Sequence, residues 1–339
     1  MPDTPVPLSQ LAVAGGSVRE KGFVKICFEA GNAIELFNFS KDNSLTASAF
    51  GIEEAGLPTL SWGAINLRAE DVVTETTARK GWASMVRHTM RADQAHLRAW
   101  DQKPRGKSPW TIQSEGFAIA WGRKFGNDLI NGAFVSAGVP DPKGFIGWRD
   151  MIATNASKAE YYISQTVDID AGGLNLSPSG ITSTAGGEFE SRLRQLFWRM
   201  GRPTGAGCKI AIGIELMARV EAALRRSVAF KTTEDVFGRT IMKWNDAEFF
   251  IVGLAPDGTD ILPGFETSTG VIGVSGTNKF SSLFVVNNND MDNWMGGSME
   301  PKDRPQDNVF DVRLVDALFG FLPTSNRWLG RIFDIQVRD

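Results

Sequence analysis

The chain has 339 residues, of which 42% are hydrophobic and 22% charged, with a formal net charge of −3. This composition is ordinary for a globular protein, and the mild negative charge excludes a surface-wide basic field that would grip nucleic acid. Cys27 and Cys208 are the two cysteines, which excludes a disulfide framework and favours a reducing compartment. The start "MPDTPVPLSQ" does not resemble a signal peptide, and no apolar run is long enough to span a membrane.

The first elements in chain order lack a core of their own. Residues 1–22 are predicted to form an extended arm that something outside the arm holds in place, which hints at an assembly. Residues 29–39 are predicted to form a short amphipathic helix. From Leu57, a long two-stranded excursion has a polar, charged middle, "RAEDVVTETTARKG". Because isolated hairpins are marginally stable, we expect this one to lie on a neighbouring subunit.

A long helix is the strongest local prediction. Ser108 suits the N-cap, Pro109 suits the first helical position, and Asn131-Gly132 suits the end. From Pro109 to Ile130 this helix would be about 33 Å long, at a rise of ~1.5 Å per residue. Its apolar side chains form one aromatic stripe: Trp110, Phe117, Trp121, Phe125 and Leu129.

The second half of the chain is predicted to alternate between helices and strands in α+β order. The helices span roughly Glu188 to Met200, with Phe189, Leu193, Leu196 and Phe197 on one face, and Ile214 to Arg226. The strands are Cys208 to Gly213, a pair "RTIMKW" and "EFFIVGL" joined at Asn245-Asp246, then "TGVIGVS" and "SSLFVVNN", and C-terminal strands turned at Pro323.

Signals for nucleotide or catalytic chemistry are weak. Gly106-Lys107-Ser108 matches the end of a phosphate-binding loop, but Pro104 and Pro109 distort it, so a turn and helix cap are favoured. "GRPTGAG", at residues 201–207, follows a helix rather than opening one, which argues against a dinucleotide loop. His88 and His96 lack the cysteines or clustered carboxylates of a metal site. We therefore predict no catalytic residues, no cofactor and no enzyme activity.

Two acidic pairs leave alternatives open. Asp290 and Asp292, within "NNNDMDN", offer oxygen ligands for a weak divalent cation, although turn and Asx-capping chemistry is the simpler interpretation. Asp168 and Asp170 carry the same two interpretations. The ten tryptophans are compatible with carbohydrate or base stacking, but their positions favour core packing.

The order of these parts resembles the major capsid proteins of tailed bacteriophages, those with the Hong Kong 97-type fold. The resemblance runs from about Glu29 to the end of the chain. The segments that carry it are "LPTLSWGAIN", "FGNDLINGA", "DPKGFIGWRDMI", "KIAIGIELMARVEAALRR", "VFGRTIMKWNDAEFFIVG" and "VRLVDALFGFLPTSNRWLGRI".

The resemblance implies an α+β capsid fold with a peripheral and an axial domain. The implied divisions are an N-terminal arm (1–28), a peripheral domain (29–55 and 91–155) with its spine helix at about 109–131, an extended loop (56–90), an axial domain (156–305) and C-terminal strands that return to the peripheral domain (306–339). Asp141-Pro142 would turn the chain toward the axial domain, and Phe145 and Trp148 would pin that turn to the core.

The resemblance also implies partners. Copies of the chain would form pentamers and hexamers of an icosahedral shell, assembled in the host cytoplasm, with double-stranded DNA held non-specifically inside. A portal and a decoration or cement protein are further expected partners. Because the sequence shows no charged helical leader of the kind that acts as a fused scaffold, we expect either a separate scaffolding protein or none. No covalent crosslink between subunits is predicted. Intersubunit salt bridges are expected near the tip of the extended loop, at Glu70, Asp71, Glu75, Arg79 and Lys80. The alternative is that these side chains form a solvated hairpin tip.

Two other classes remain open at this point. An encapsulin-type compartment shares the fold but encloses enzymes instead of a genome. An unrelated α+β enzyme or ligand-binding protein would instead use the tryptophan-rich surface to bind a small molecule. Each class of protein has its own expected observation. A capsid protein forms particles that contain DNA, and an encapsulin forms particles that contain protein cargo. An enzyme or ligand-binding protein is a dispersed monomer that binds a ligand.

Overall fold

The structure is a computed structural model of the whole chain. It describes residues 6–7, 25–27, 32–41, 50–54, 76–80, 82–102, 107–132, 147–152, 168–225, 229–234, 238, 240–267, 278–304, 310–325 and 327–339. The predictions for the phosphate-loop residues Pro104 and Gly106, the Asp141-Pro142 turn, Phe145 and the strand "TGVIGVS" fall outside these residues.

A five-stranded sheet forms the first half of the fold, in the order β1-β2-β13-β14-β5. At one edge, β5 forms an antiparallel pair with β14 that stays in register over twelve residues, from Phe310 opposite Asp93 to Phe321 opposite Trp82. The parallel contact of β2 with β13 brings the N-terminal segment onto the same sheet. The strands are β1 (Val6–Pro7), β2 (Asn38–Lys41), β5 (Trp82–Asp93), β13 (Trp294–Arg304) and β14 (Phe310–Phe321).

The predicted spine helix, α2 (Pro109–Asn131), is confirmed at both ends. The Ser108 side chain accepts a hydrogen bond from the Thr111 backbone N–H at 3.1 Å, which satisfies one of the donors that a helix start leaves unpaired. Its stripe faces the first sheet: the Arg313 guanidinium lies 4.3 Å from the centre of the Trp110 ring, and Trp121 stacks on Phe319. A preceding helix, α1 (Gln94–Gln102), was not predicted, although Asp93 caps it.

An eight-stranded sheet forms the second half, in the order β6-β15-β12-β7-β10-β9-β8, with β11 beside β12. The central strand β7 runs parallel to β10 and antiparallel to β12. Its strands are β6 (Asp168–Asp170), β7 (Cys208–Ile212), β8 (Phe230–Glu234), β9 (Thr240–Trp244), β10 (Ala247–Ile251), β11 (Glu266–Thr267), β12 (Asn278–Asn287) and β15 (Leu329–Gln336).

The second sheet is covered on both faces, which makes two cores. One face packs against α4 (Ser183–Arg199) and α5 (Ile214–Leu224); we call this the helix-covered core. The other face packs against α2, α3 (Trp148–Ile152), a 3₁₀ helix (Asn32–Leu36) and the first sheet; we call this the junction core. Strand β7 alternates between them, since Ile210 and Ile212 face the first core and Ala211 faces the second.

Several sequence-based expectations need correction. The helix predicted over residues 29–39 is shorter than expected in the described part of that range, 32–39, where Asn32–Leu36 form a 3₁₀ helix and β2 begins at Asn38. The second arm of the predicted excursion, β5, pairs with β14, whereas the first arm, from Leu57, lies outside the described residues. Within the excursion, β4 (Thr76–Lys80) pairs with β3 (Phe50–Glu54), which precedes the predicted excursion.

The two closing strands lie in different sheets. Of the two closing strands, β14 lies in the first sheet, but β15 pairs with β12 and β6 in the second. The expected division of the chain into peripheral and axial domains stays a prediction.

Candidate assembly surfaces

A two-stranded ribbon joins β3, which precedes the expected extended loop, to β4, which lies within it. Its five residue pairs run from Phe50 opposite Lys80 to Glu54 opposite Thr76, and in the described residues it pairs with no other strand. A two-stranded ribbon has little stability of its own, so a surface outside the ribbon would have to support it. Arg79 and Lys80 lie on β4, whereas Glu70, Asp71 and Glu75 lie outside the described residues. The predicted intersubunit salt bridges therefore stay a prediction.

The N-terminal segment is attached to the first sheet by a short strand. Val6 pairs with Phe39, and Pro7 pairs with Asn38, in antiparallel register. Phe39 itself is fully buried beside Phe319 and Phe321. The attachment point of the arm is thus part of the junction core, through β2.

A buried lysine connects this attachment point to the second sheet. The Nζ of Lys209 on β7 donates to the Glu35 carbonyl at 2.6 Å and to Asn38 Oδ1 at 3.0 Å, and the side chain is 7% exposed. Burial lowers the pKa of Lys209 from its ordinary value, while the carboxylates of Glu35 and Glu248 act in the opposite direction. Glu248 lies opposite Lys209 in the β7–β10 register and forms an ion pair with Lys243 at 2.6 Å.

Two asparagines extend this connection into a buried polar seam. Asn288 accepts from the Asn38 backbone N–H at 2.9 Å and donates to the Leu36 carbonyl at 2.9 Å. Asn293 donates from its side chain to the Asn38 carbonyl at 3.1 Å, and its own carbonyl accepts from the Ser40 N–H. These bonds hold residues 38–40 extended, which explains why the predicted helix stops at Leu36.

Sequence reasoning missed this polar seam. Its signals were a lysine inside the otherwise apolar strand "CKIAI" and an asparagine run, "NNND". Buried lysine in a strand indicates a specific partner, because an unpaired buried charge is costly. The partner could not be named from the sequence, since Lys209 and Asn38 are 171 residues apart.

The acidic motifs form turns and ion pairs in the described residues. Asp290 pairs with Arg202 at 3.0 Å, and the Asn287 side chain accepts from the Asn289 N–H at 3.2 Å, as an Asx turn does. Asp170 accepts from the Gly172 N–H at 2.7 Å in the same way. In the part of the chain that the structure describes, no group of three or more His, Cys, Asp and Glu side chains is placed to hold a metal ion.

The other chemical candidates also have structural roles. Ser108 caps α2, and Lys107 donates to Glu115 at 2.7 Å. His88 stacks on Phe117 with ring centres 4.3 Å apart. Trp148, Trp244 and Trp328 are fully buried, as core packing requires.

A polar cavity of about 410 Å³ lies where the end of α2 meets the second sheet. Arg149 on α3 forms an ion pair with Glu266, and its Nε donates to Asn131 Oδ1 at 2.9 Å. The Ser282 hydroxyl donates to the other Glu266 oxygen at 2.5 Å. The lining groups thus bond to one another and connect the spine helix to strand β12, so the cavity is a structural junction.

Exposed apolar side chains mark two further surfaces. On α2, Ile112 and Ile119 are exposed two turns apart, and Gly116 lies between them with open space where a Cβ would be. At the ends of the second sheet, four large apolar side chains are exposed: Trp198, Ile214, Leu254 and Phe265. Apolar side chains exposed one at a time are normal on a protein surface, so these six mark candidate surfaces and do not by themselves show a contact. In the described residues, no helix is both long and apolar enough to cross a membrane.

Comparison with known proteins identifies solved structures that share this architecture. No protein-family model and no curated protein matches the chain. Solved structures do match over most of its length. The capsid of the native GTA particle is 10% identical, with 88% of each chain covered and a TM-score of 0.53. The capsid of Myoviridae phage XM1 is 9% identical, with 88% of this chain and 89% of that chain covered and a TM-score of 0.50. A chain of Mycobacterium phage Bobi is 11% identical, with 91% and 90% covered and a TM-score of 0.50.

At identities of 9 to 11%, this likeness establishes the fold. Because the match covers about nine-tenths of both chains, it is a match of nearly whole chains and not of a shared fragment. The expected α+β fold of the Hong Kong 97-type capsid proteins is confirmed.

Proposed function

We propose that this chain, which has the Hong Kong 97-type capsid fold, is the major capsid protein of a tailed bacteriophage. Copies associate as pentamers and hexamers, and these close into an icosahedral shell around double-stranded DNA. The observation that carries the proposal is the fold match to phage-type capsids over 88 to 91% of the chain. The role is structural rather than catalytic.

The surfaces described above support an assembly. The β3–β4 ribbon and the short β1 strand need outside support, and exposed apolar side chains lie on α2 and at both ends of the second sheet. Burial of apolar area between subunits at about 25 cal/mol per Å² would supply most of the stabilisation. Charged contacts, including those proposed for Glu70, Asp71, Glu75, Arg79 and Lys80, would mainly set which surfaces meet.

The proposed partners follow from this role. Packaged DNA would lie against the inner surface without sequence-specific contact, consistent with a net charge of −3. A portal, a decoration or cement protein and a separate scaffolding protein are proposed as further partners. The site of action is the virion, after assembly in the host cytoplasm.

Electron microscopy of the expressed full-length chain tests the proposal, alone and with candidate scaffolding proteins from the same source. Uniform polyhedral shells of several megadaltons are expected. A monodisperse species near 37 kDa under every assembly condition would overturn the proposal and favour an α+β enzyme or ligand-binding protein. Particles that carry one enzyme as cargo, in place of DNA, would favour an encapsulin-type compartment.

A further inference from the structure

We propose that the exposed face of α2 binds an acidic amphipathic helix of a second protein, the separate scaffolding protein proposed above. We call this face the α2 groove, and its residues are Ile112, Gly116, Ile119, Ala120 and Arg123. The inference rests on the proposed function, because it assigns a docking surface to one of the proposed partners.

A glycine in the middle of α2 has no explanation within the chain. Three glycines lie in this helix, and packing explains two of them. A Cβ on Gly122 would lie 2.6 Å from the Cys27 carbonyl oxygen, and one on Gly126 would lie 3.0 Å from the Ile261 side chain. A Cβ on Gly116 would meet nothing within 4 Å. Because glycine inside a helix costs about 1 kcal/mol relative to alanine, Gly116 weakens α2 without improving the packing of the described residues.

The side chains on either side of this glycine form the walls of a shallow groove. Ile112 lies four residues before Gly116 and is 58% exposed, and Ile119 lies three residues after it and is 37% exposed. Ala120 adds a small, exposed side chain. Residues at this spacing share one face of a helix, so the missing Cβ leaves a hole between two apolar ridges. A side chain of a second helix fits such a hole, and the glycine lets the two backbones approach closely.

An arginine on the same face indicates the charge of the partner. The Nε of Arg123 is buried and has no hydrogen-bond partner. Among the described residues, no ion pair includes Arg123, whereas the neighbouring charges are paired, Lys107 with Glu115 and Lys124 with Asp128. A buried donor without an acceptor is costly, and a carboxylate is the acceptor that suits a guanidinium best. The partner helix therefore carries acidic side chains beside its apolar ones.

The size of the groove favours a partner that binds reversibly. Its apolar part consists of two partly exposed isoleucines, one alanine and one glycine. This is far less than the roughly 800 Å² per partner that a stable interface buries, so the groove is too small for a permanent contact between copies of the chain. A helix held here would dissociate readily, as a protein that acts during assembly and then leaves must do.

A synthetic peptide tests the groove on the full-length chain. The probe is a fluorescein-labelled peptide of about 18 residues, or five helical turns, with leucines along one face and glutamates on both flanks. We expect a Kd of about 10–100 µM by fluorescence anisotropy, in keeping with an interface below the standard size. The same peptide with lysines in place of the glutamates should bind about 10-fold more weakly. Equal binding of the two peptides, or binding of neither, would overturn the proposal.

Three variants locate the binding on α2. Gly116→Leu fills the hole and should weaken binding of the acidic peptide by about 10-fold or more. Leucine favours a helix, so loss of the fold would not explain that result. Arg123→Gln should abolish the preference for the acidic peptide. Lys124→Gln is the matched control, since it removes a neighbouring cation outside the groove and should bind the peptides as the wild type does. Losses of the same size from Lys124→Gln and Arg123→Gln would contradict a specific groove.

A cysteine in the groove separates a second protein from another copy of the chain. Ile119→Cys is placed in the groove, and Lys124→Cys, outside it, is the control. After mild oxidation of assembled particles, we expect no more disulfide-linked dimers from Ile119→Cys than from the control. An excess of dimers from Ile119→Cys would place α2 of another copy in the groove and overturn the assignment to a second protein.

The outcomes separate this inference from the proposed function. Shells from a wild-type chain that does not bind the acidic peptide would overturn the groove and leave the shell function standing. Peptide binding by a chain that forms no shell under any assembly condition would overturn the shell function, while the groove would remain a helix-binding surface. A chain that shows neither would overturn both.

Discussion

The two cores of this molecule are built in different ways. The helix-covered core comes mostly from neighbouring elements, α4, β7 and α5, which follow one another between Ser183 and Leu224. The junction core joins segments from the whole chain, from Cys27 through α2 and α3 to Leu329. The helix-covered core thus combines this local run with distant strands, whereas the junction core depends mainly on distant partners. Substitutions in the junction core should therefore loosen the relation between the two sheets as well as the stability of each.

The largest expected effect is at the centre of the junction core. Trp148 is fully buried, with its ring 5.8 Å from Phe37 and 5.9 Å from Phe284, so it connects the N-terminal segment to the second sheet. Trp148→Ala should lower the free energy of unfolding by about 3–5 kcal/mol, measured by urea denaturation. Trp198→Ala is the matched control, and it should change that free energy by no more than about 0.5 kcal/mol. Equal losses from both would contradict the assignment of the two tryptophans.

The next effect concerns the polar seam. Lys209→Met leaves the acceptors on Glu35 and Asn38 without their donor, and should cost about 2–4 kcal/mol of unfolding free energy at neutral pH. The cost should also depend on pH. Because burial lowers the pKa of Lys209, the unfolded chain binds more protons than the folded chain between that lowered pKa and 10.5.

The contribution of Lys209 to the free energy of unfolding therefore rises with pH between its lowered pKa and 10.5. The wild type should gain stability relative to Lys209→Met as pH is raised toward 10.5, which paired urea titrations at pH 7.5 and 10 would measure. Lys107→Met, at a surface ion pair with Glu115, is the control for removing a lysine. A wild-type advantage that shrinks with rising pH would show that Lys209 is stabilised in its charged form.

The third prediction concerns two glycines of α2 that differ in the space around them. A Cβ on Gly122 would lie 2.6 Å from the Cys27 carbonyl, whereas one on Gly116 would meet nothing within 4 Å. Gly122→Ala should destabilise by about 1–3 kcal/mol, since the backbone at Cys27 must move. Gly116→Ala should instead stabilise by about 1 kcal/mol, because alanine favours the helix. Thermal unfolding of both variants would measure this difference in sign.

The smallest effect lies at the start of the spine helix. Ser108→Ala removes the hydrogen bond to the Thr111 N–H and should cost about 1 kcal/mol. Ser108→Asp restores a capping acceptor and should recover most of the loss in the same denaturation experiment. If Ser108→Asp stays as unstable as Ser108→Ala, the hydroxyl contributes in some way other than capping.

The contrast between the cores also explains what the sequence could predict. Helix α2 was predicted to within a residue, because Ser108, Pro109 and Gly132 are local signals. The buried face of α4 was predicted correctly for the same reason, as were β7 and the β9–β10 hairpin, where Asn245 takes a positive φ of 51°.

The polar seam and β2 were missed because their partners are remote. Asn38 and Asn288 are 250 residues apart, and neither has a distinctive local pattern. The ends of the second sheet were missed for another reason. Trp198 continues an apolar run in sequence, and only the packing of Phe197 inward shows that Trp198 must face outward.

The polar seam has a consequence for where the arm leaves the molecule. Asn38 accepts from Lys209 through its side chain and lies opposite Pro7 through its backbone. A slip of β2 by one residue would turn Asn38 to the other side of its sheet and break every bond of the seam. The position of Val6 and Pro7 on the first sheet is thereby fixed by the central strand of the second sheet. Every copy of the chain would hold these two residues in the same place relative to both cores.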